Sequence, residues 1–424
     1  MITTLILIVF VLGYTAIAFE HTIHVNKAAS ALITGVLCWT LFIIQHHNAD
    51  FVNEELLHHF GEISSILFFL LGAMTIVELV DRHSGFDIIS EKINTTSKRT
   101  LFFIVTVITF FLSALLDNLT TSILMMSLCS KLLEDKEDRL WFAGMIIIAA
   151  NAGGVWSPLG DVTTTMLWIG KQVTALNIMT KVFLPSTVVY LLPALLISRR
   201  FKGQKYCVAP PSITNRKQKK HGKIILLSGM GFLIFVPVFK NFTHLPPFMG
   251  MLLALACMWI VTTILHKDED KDYVEQRSVS SALQKIDSPS ILFFLGILLA
   301  VAALQSAGIL KTLAALMDKS LHNDYLIGIS LGLLSAIVDN VPLVAAAQGM
   351  YELSVYPTDH NFWAFLALTT GTGGSTIIIG SAAGVAIMGI EQINFIWYLK
   401  KISLFALIGF AAGIIVYILQ GMLR

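Results

Sequence analysis

Ser113-Ala-Leu-Leu-Asp117-Asn118-Leu-Thr120 returns later in the chain as Ser335-Ala-Ile-Val-Asp339-Asn340-Val-Pro342. Both copies sit inside strongly apolar sequence. A carboxylate at membrane depth costs about 2.5–3.5 kcal/mol even on insertion scales, so such residues are retained for a function. Two of them in matching contexts point to an internally duplicated membrane transporter with one carboxylate at the tip of each half.

The setting supports a membrane chain. Of 424 residues, 55% are hydrophobic and 13% charged, with mean hydropathy +0.76; a soluble domain carries about 25% charged residues. Apolar spans fall at about 2–19, 28–45, 63–80, 101–133, 140–170, 180–198, 224–239, 248–265, 289–305, 325–353, 362–390 and 396–419. The first is read as a retained span rather than a cleaved leader, because no basic segment precedes it. Cys38, Cys129, Cys207 and Cys257 are scattered without metal-ligand spacing, which suits structural thiols. No cofactor is expected, and neither is a nucleic-acid partner.

Four stretches are interrupted. The Asp-Asn pairs break 101–133 and 325–353, and the first of these is too long for one helix, so it reads as a hairpin that enters and leaves on one side. Asn151-Ala-Gly-Gly154 and Gly371-Thr-Gly-Gly374 break 140–170 and 362–390. Unwound backbone at membrane depth is tolerated only where it faces protein or a cavity. The duplication also takes in Ile66-Leu-Phe-Phe-Leu70 and Ile291-Leu-Phe-Phe-Leu295. The offset is 225 at that match, 222 at Ser113/Ser335 and 220 at Asn151/Gly371.

The expected architecture is an all-α membrane protein of inverted-topology repeats, with re-entrant helical hairpins and broken transmembrane helices. Residues 1–200 form a first repeat (hairpin 101–133, broken helix 140–170), 201–223 a basic cytoplasmic linker, and 224–424 a second repeat (hairpin 325–353, broken helix 362–390). Each half crosses five times, and an odd number inverts the second copy. With the basic loop 199–223 placed in the cytoplasm, 23 of the 29 Lys and Arg fall on that side, as the positive-inside rule requires. Both termini are then outside. Stretches 85–97 and 307–320 read as interfacial amphipathic arms before each hairpin.

Asp117, Asp339 and Asp161 are the candidate carriers, because an Asn alone could turn a hairpin without burying a charge. Asn118, Asn340, Asn151, Ser157, Thr164, Ser375 and Thr376 are candidates to complete coordination or hold the tips. Asp161 corresponds to the neutral Ser381, so the copies have diverged. Glu78 is a candidate for a proton path. His46, His47, His58 and His59 crowd one external loop. Oxygen ligands with negative charge favour hard cations. With the basic residues concentrated in loops, neither span interruption offers a Lys or Arg to compensate an anion. One aspartate holding either a proton or a cation is a complete minimal exchanger.

At these residues the chain resembles the NhaD-type sodium/proton antiporters, of a superfamily that includes dicarboxylate carriers and arsenite exporters. The resemblance is carried by Ser113–Asn118, Asn151–Thr164, Ser335–Pro342 and Gly371–Ser381, and runs over essentially the whole chain. It implies Na⁺ or Li⁺ exchange for H⁺ at Asp117, Asp339 and Asp161, in the bacterial inner membrane. It also implies a homodimer in membrane lipid, with a scaffold and a mobile part carrying both tips. Dicarboxylate carriers of this superfamily have Ser-Asn-Thr at the tips, and Asp-Asn here fits a cation instead. An arsenite or metalloid exporter is the competing transport reading. An intramembrane aspartyl protease is disfavoured, since its full Gly-x-Gly-Asp and Tyr-Asp phrases are missing. Hairpins approaching from opposite sides suit alternating access better than a channel.

Overall fold

In a bilayer, apolar runs satisfy their backbone polar groups internally, and this chain does so as helices. The computed structural model describes residues 2–18, 20–46, 48–86, 95–205, 216–267 and 269–423. Among these no strand is present, and eight helices are long and apolar enough to cross a membrane, or nine if a bent pair is one span. This is a multi-pass helical membrane protein.

The interrupted stretches resolve into pairs of helices, each of 8 to 19 residues. The first hairpin is Lys98–Leu116 and Asn118–Leu132, parted at Asp117; the second is Asp324–Leu334 and Asn340–Met350, parted by residues 335–339. The first broken helix is Lys136–Gly154 followed by Val162–Ile169, and the second is Asn361–Gly373 followed by Ala382–Glu391. In both copies the broken helix presses its glycines against the hairpin. A Cβ on Gly153 would lie 2.2 Å from the Phe110 carbonyl oxygen, and one on Gly373 2.0 Å from that of Gly332. Only glycine allows this approach. Ser113 Oγ donates to the Ala150 carbonyl at 2.6 Å, and Ser335 Oγ to that of Thr370 at 2.5 Å.

Contacts between the two halves of the chain are reciprocal. Lys27–His46 packs on Ser288–Ser306, while Ala49–Arg82 packs on Pro247–Leu265. The returning arm Asn118–Leu132 lies against Ala382–Glu391, while its counterpart Asn340–Met350 lies against Val162–Ile169. The closing helices Ala175–Ile197 and Ser403–Met422 pack on each other. Exchanging the two copies leaves this pattern unchanged.

One face gathers charged ends. Lys98 pairs with Asp138, Arg139 Nε with Glu391 at 3.1 Å, Arg200 with Glu137 at 2.6 Å, and Arg82 bonds to Ser281 and the Gln276 carbonyl. The opposite face joins Lys181 to Asn361, Thr174 to Asp359 and Lys311 to Glu352.

Three expectations need revision or restriction. The expected external histidine loop is mostly helix: His46 ends Lys27–His46, and His58 and His59 lie in the first part of the 34-residue helix Ala49–Arg82. Asn48 caps it, and Glu55–His59 and His58–Glu62 are spaced one turn apart; helical periodicity survives where hydropathy fails. His59 is buried, with Nε2 3.1 Å from Ser306 Oγ, whereas His58 is exposed. His47 lies outside the described residues. The last span begins at Ser403 rather than 396, because Gln392 adopts φ +52° and Phe395–Lys401 runs off at 115° to Ala382–Glu391. The arm at 307–320 is the helix Ile309–Leu321, with Leu313 and Leu316 exposed. Most of the other arm, 87–94, lies outside the described residues, as does Cys207.

Candidate functional site

Asp161 is the centre of the site. It stands where the first broken helix resumes, in extended conformation (φ −148°), and its Oδ1 accepts from the Thr163 N–H and Thr163 Oγ1, both at 2.9 Å. The N-terminal end of Val162–Ile169 thus faces a carboxylate, the favourable sign for a helix dipole. Asn118 of the first tip donates from Nδ2 to Asp161 Oδ2 at 3.1 Å, and Asn340 of the second tip does the same at 3.2 Å. One buried carboxylate is therefore held by both hairpins and by its own helix. A buried charge requires such saturation, since an unpaired one costs several kcal/mol.

Asn151 extends the network across the repeat. Its Oδ1 accepts from Asn118 at 2.9 Å, and its Nδ2 donates to Ser375 Oγ and Ser381 Oγ, each at 2.9 Å. Ser381 caps Ala382–Glu391 as Asp161 caps its own helix, without the charge. Gly371 occupies the position matching Asn151, and a Cβ there would meet Val155 Cγ1 at 2.1 Å and Asp161 Oδ2 at 3.6 Å. The pseudo-symmetric centre has no space for a side chain at Gly371, which accounts for glycine opposite Asn151.

Asp117 and Asp339 flank this centre without joining its hydrogen bonds. Asp117 Oδ1 accepts from the Thr120 N–H and Oδ2 from Thr120 Oγ1, both at 2.8 Å. Asp339 has one longer bond, 3.5 Å from the Val341 N–H. Both lie within electrostatic reach of Asp161. Three other candidates bind local backbone: Ser157 Oγ accepts from the Leu159 N–H, Thr164 Oγ1 donates to the Asp161 carbonyl, and Thr376 Oγ1 to that of Gly373. These shape the breaks rather than enter the polar centre. Thr163 and Ser381, hydroxyls that follow the two breaks, also belong to the set, and Thr120 joins it without having been a candidate. The spacing Asp-x-Thr, an Asx cap, was the signal for Thr163.

A cavity of about 370 Å³ reaches Thr120 from the basic face; Glu78, Asp81, Asp287 and Lys285 line it. Glu78 is thus placed beside a route to the first tip, held by Arg82 Nε at 2.8 Å. A second cavity, of about 410 Å³, lies toward the opposite face, between His59, Glu62, Gln305 and the Gln172–Gln348 pair. The basic residues are not all remote: Lys27 shares a small cavity with Asp339 and Ser381. This corrects the expectation that no Lys or Arg lies near a tip, because the chain returns Lys27 to the site through the start of a helix far away in sequence.

The citrate-transporter family model matches residues 5–373. The chain is 43% identical to Sodium/proton antiporter 2 of Arabidopsis thaliana, over 97% of this chain and 98% of that protein. Sodium/proton antiporter 1 of the same plant is 46% identical over 97% of this chain and 71% of its own length. The Na⁺/H⁺ antiporter NhaD of Vibrio cholerae is 31% identical, over 97% and 91%. The chain belongs to the NhaD-type sodium/proton antiporter family, within the family described as citrate transporters. Membership makes it a transporter rather than an enzyme. The crystal structure of the Alcanivorax borkumensis YdaH transporter covers 93% of this antiporter-family chain and 98% of its own, at 12% identity and TM-score 0.60, a likeness of fold.

Proposed function

We propose that the chain exchanges Na⁺ or Li⁺ for H⁺ across the membrane by alternating access. The observation that carries this is the buried Asp161 held by amides from both hairpin tips, with a further carboxylate at each tip. The amide nitrogens of Asn118 and Asn340 are spent on Asp161, which leaves their oxygens as ends that suit a hard cation. Hydroxyl and carbonyl oxygens at the unwound segments are of the same class. A proton and a cation compete for one carboxylate, and that competition couples their movements. Reciprocal packing of two copies that each cross an odd number of times supports inverted repeats. In this reading the hairpins and broken helices move together against the remaining helices. Asp117 and Asp339 exchange their load while Asp161 keeps both tips in register, and Glu78 passes protons along the cavity at the first tip. The same reading places the charged face in the cytoplasm and both termini outside. It makes the protein a homodimer in the bacterial inner membrane.

The test is proton movement in energised everted vesicles from an antiporter-deficient host, followed with a pH-gradient dye. Na⁺ or Li⁺ should collapse the gradient, and choline should not. No response between pH 7 and 9.5, with the protein present in the membrane, overturns the reading. Citrate in place of Na⁺ should give nothing, since three carboxylates would repel a tricarboxylate.

A further inference from the structure

Asp339 faces a cavity of about 70 Å³ whose walls hold Tyr14, Glu20, Lys27, Phe293 and Ser381. These come from the first two helices and their connection, from Ser288–Ser306, and from the second broken helix. Lys27 is half-buried there, with Nζ 4.9 Å from the centroid of the Phe293 ring, whose face stabilises an ammonium away from bulk water. Glu20 Oε1 accepts the Lys27 backbone N–H at 3.1 Å, fixing where helix Lys27–His46 begins. Lys27 is also within electrostatic reach of Asp339. The first tip is furnished differently, its cavity having Glu78, Asp81 and Asp287 against Lys285.

We propose that Lys27 is the resident counter-ion of Asp339, neutralising that carboxylate between loads and yielding it to an arriving cation. Lys27 is then a positioning residue for transport. It opposes Na⁺ at the second tip by charge, while Glu20, the other carboxylate on the cavity wall, draws the ammonium the other way. The charged and titratable groups around the pair are Tyr14, Glu20 and Asp161. The inference rests on the antiport reading, because it assigns a determinant of cation affinity at the same site.

The experiment measures initial Na⁺-driven H⁺ flux against Na⁺ concentration in proteoliposomes at one fixed alkaline pH. Lys27→Gln should lower the KM for Na⁺ roughly tenfold with Vmax little changed, the scale expected when one nearby unit charge is removed at partial burial. Lys27→Arg should keep the wild-type KM. Glu20→Gln, which retains the acceptor for the Lys27 N–H, should raise KM roughly threefold by leaving the ammonium wholly to Asp339. Opposite signs from two neighbouring neutralisations are a signature of charge that a packing role would not produce. An unchanged or raised KM in Lys27→Gln, or a Lys27→Arg that behaves like it, overturns the inference and leaves antiport intact. Should Lys27→Gln fail to accumulate, the Glu20→Gln arm decides, and a KM that does not rise overturns it. Absence of flux driven by either Na⁺ or Li⁺ in the wild-type protein overturns both readings.

Discussion

The two hairpin tips carry the same Asp-Asn pair and use it differently. At the first tip Asp117 is in a strained conformation (φ +80°, ψ 157°), a region nearly restricted to glycine and costing about 1–3 kcal/mol. Both its carboxylate oxygens are occupied by Thr120. At the second tip Asp339 is relaxed (φ −46°, ψ 139°), Pro342 replaces Thr120, and one 3.5 Å bond remains. Proline has no N–H to donate, so the Asp339 oxygens are less engaged by their own helix. Within the Asp-Asn pair only the asparagines are used alike, both donating to Asp161. The two tips agree in the part that meets at the centre and differ in the part that faces away from it.

The largest test of this comparison is neutralisation. Asp117→Asn and Asp339→Asn should each lower Na⁺/H⁺ exchange at least about 100-fold at near-normal protein levels, the scale of losing a charged partner in a buried site. Vesicle flux normalised to membrane protein measures it. Full flux in either variant would remove that tip from the mechanism and make the exchanger one-sided.

A smaller effect is expected from exchanging the tips' chemistry. Thr120→Val deletes the hydroxyl bond to Asp117, so that carboxylate should favour its proton more and the KM for Na⁺ should rise about threefold to tenfold. Pro342→Thr supplies Asp339 with new donors and should lower KM by a similar factor. Concentration dependence of the initial rate measures both. Silence in Thr120→Val would show that the tips are equivalent despite their geometry.

The smallest effect separates the tips from the scaffold. At the basic face, burial pushes His83 down to about 4, and His266 is also lowered, chiefly by burial. His83 donates from Nδ1 to the Leu79 carbonyl, and its Nε2 lies 3.1 Å from His266 Nε2, with His221 and Arg277 nearby. Folded, these imidazoles stay neutral while the unfolded chain takes up protons below about 6.5, so stability should fall as pH drops from 6.5 toward 4. Thermal unfolding in detergent should show that slope, and His83→Gln should flatten it by a few degrees. An unaltered slope in His83→Gln would place the acid sensitivity elsewhere, with the tip carboxylates as the next groups to test.

Much of the molecule was legible in one dimension because its signals are local. A carboxylate inside an apolar run, a Gly-Gly inside a span and a phrase repeated at a nearly constant offset each report on a few neighbouring residues. They marked both hairpins, both broken helices and the residues Asp117, Asn118, Asn151, Asp161, Asp339, Asn340 and Ser375. The long helix starting at Ala49 was hidden, because hydropathy cannot follow a helix once its turns become polar; the capping signal at Asn48 was the better guide.

The sequence by itself determined that the chain is helical, spans a membrane repeatedly, carries one phrase twice, and places carboxylates where a bilayer penalises them. Those follow from hydropathy and pattern, which act along the chain. Tertiary structure decided that Asp161, rather than a tip aspartate, is the hub of the hydrogen-bond network. It also decided that Val155 and Asp161 fill the space beside Gly371, and that Lys27 shares a cavity with Asp339. Each of these depends on which side chains from distant helices share a few ångströms of space, and packing of that kind leaves no periodic trace in the sequence.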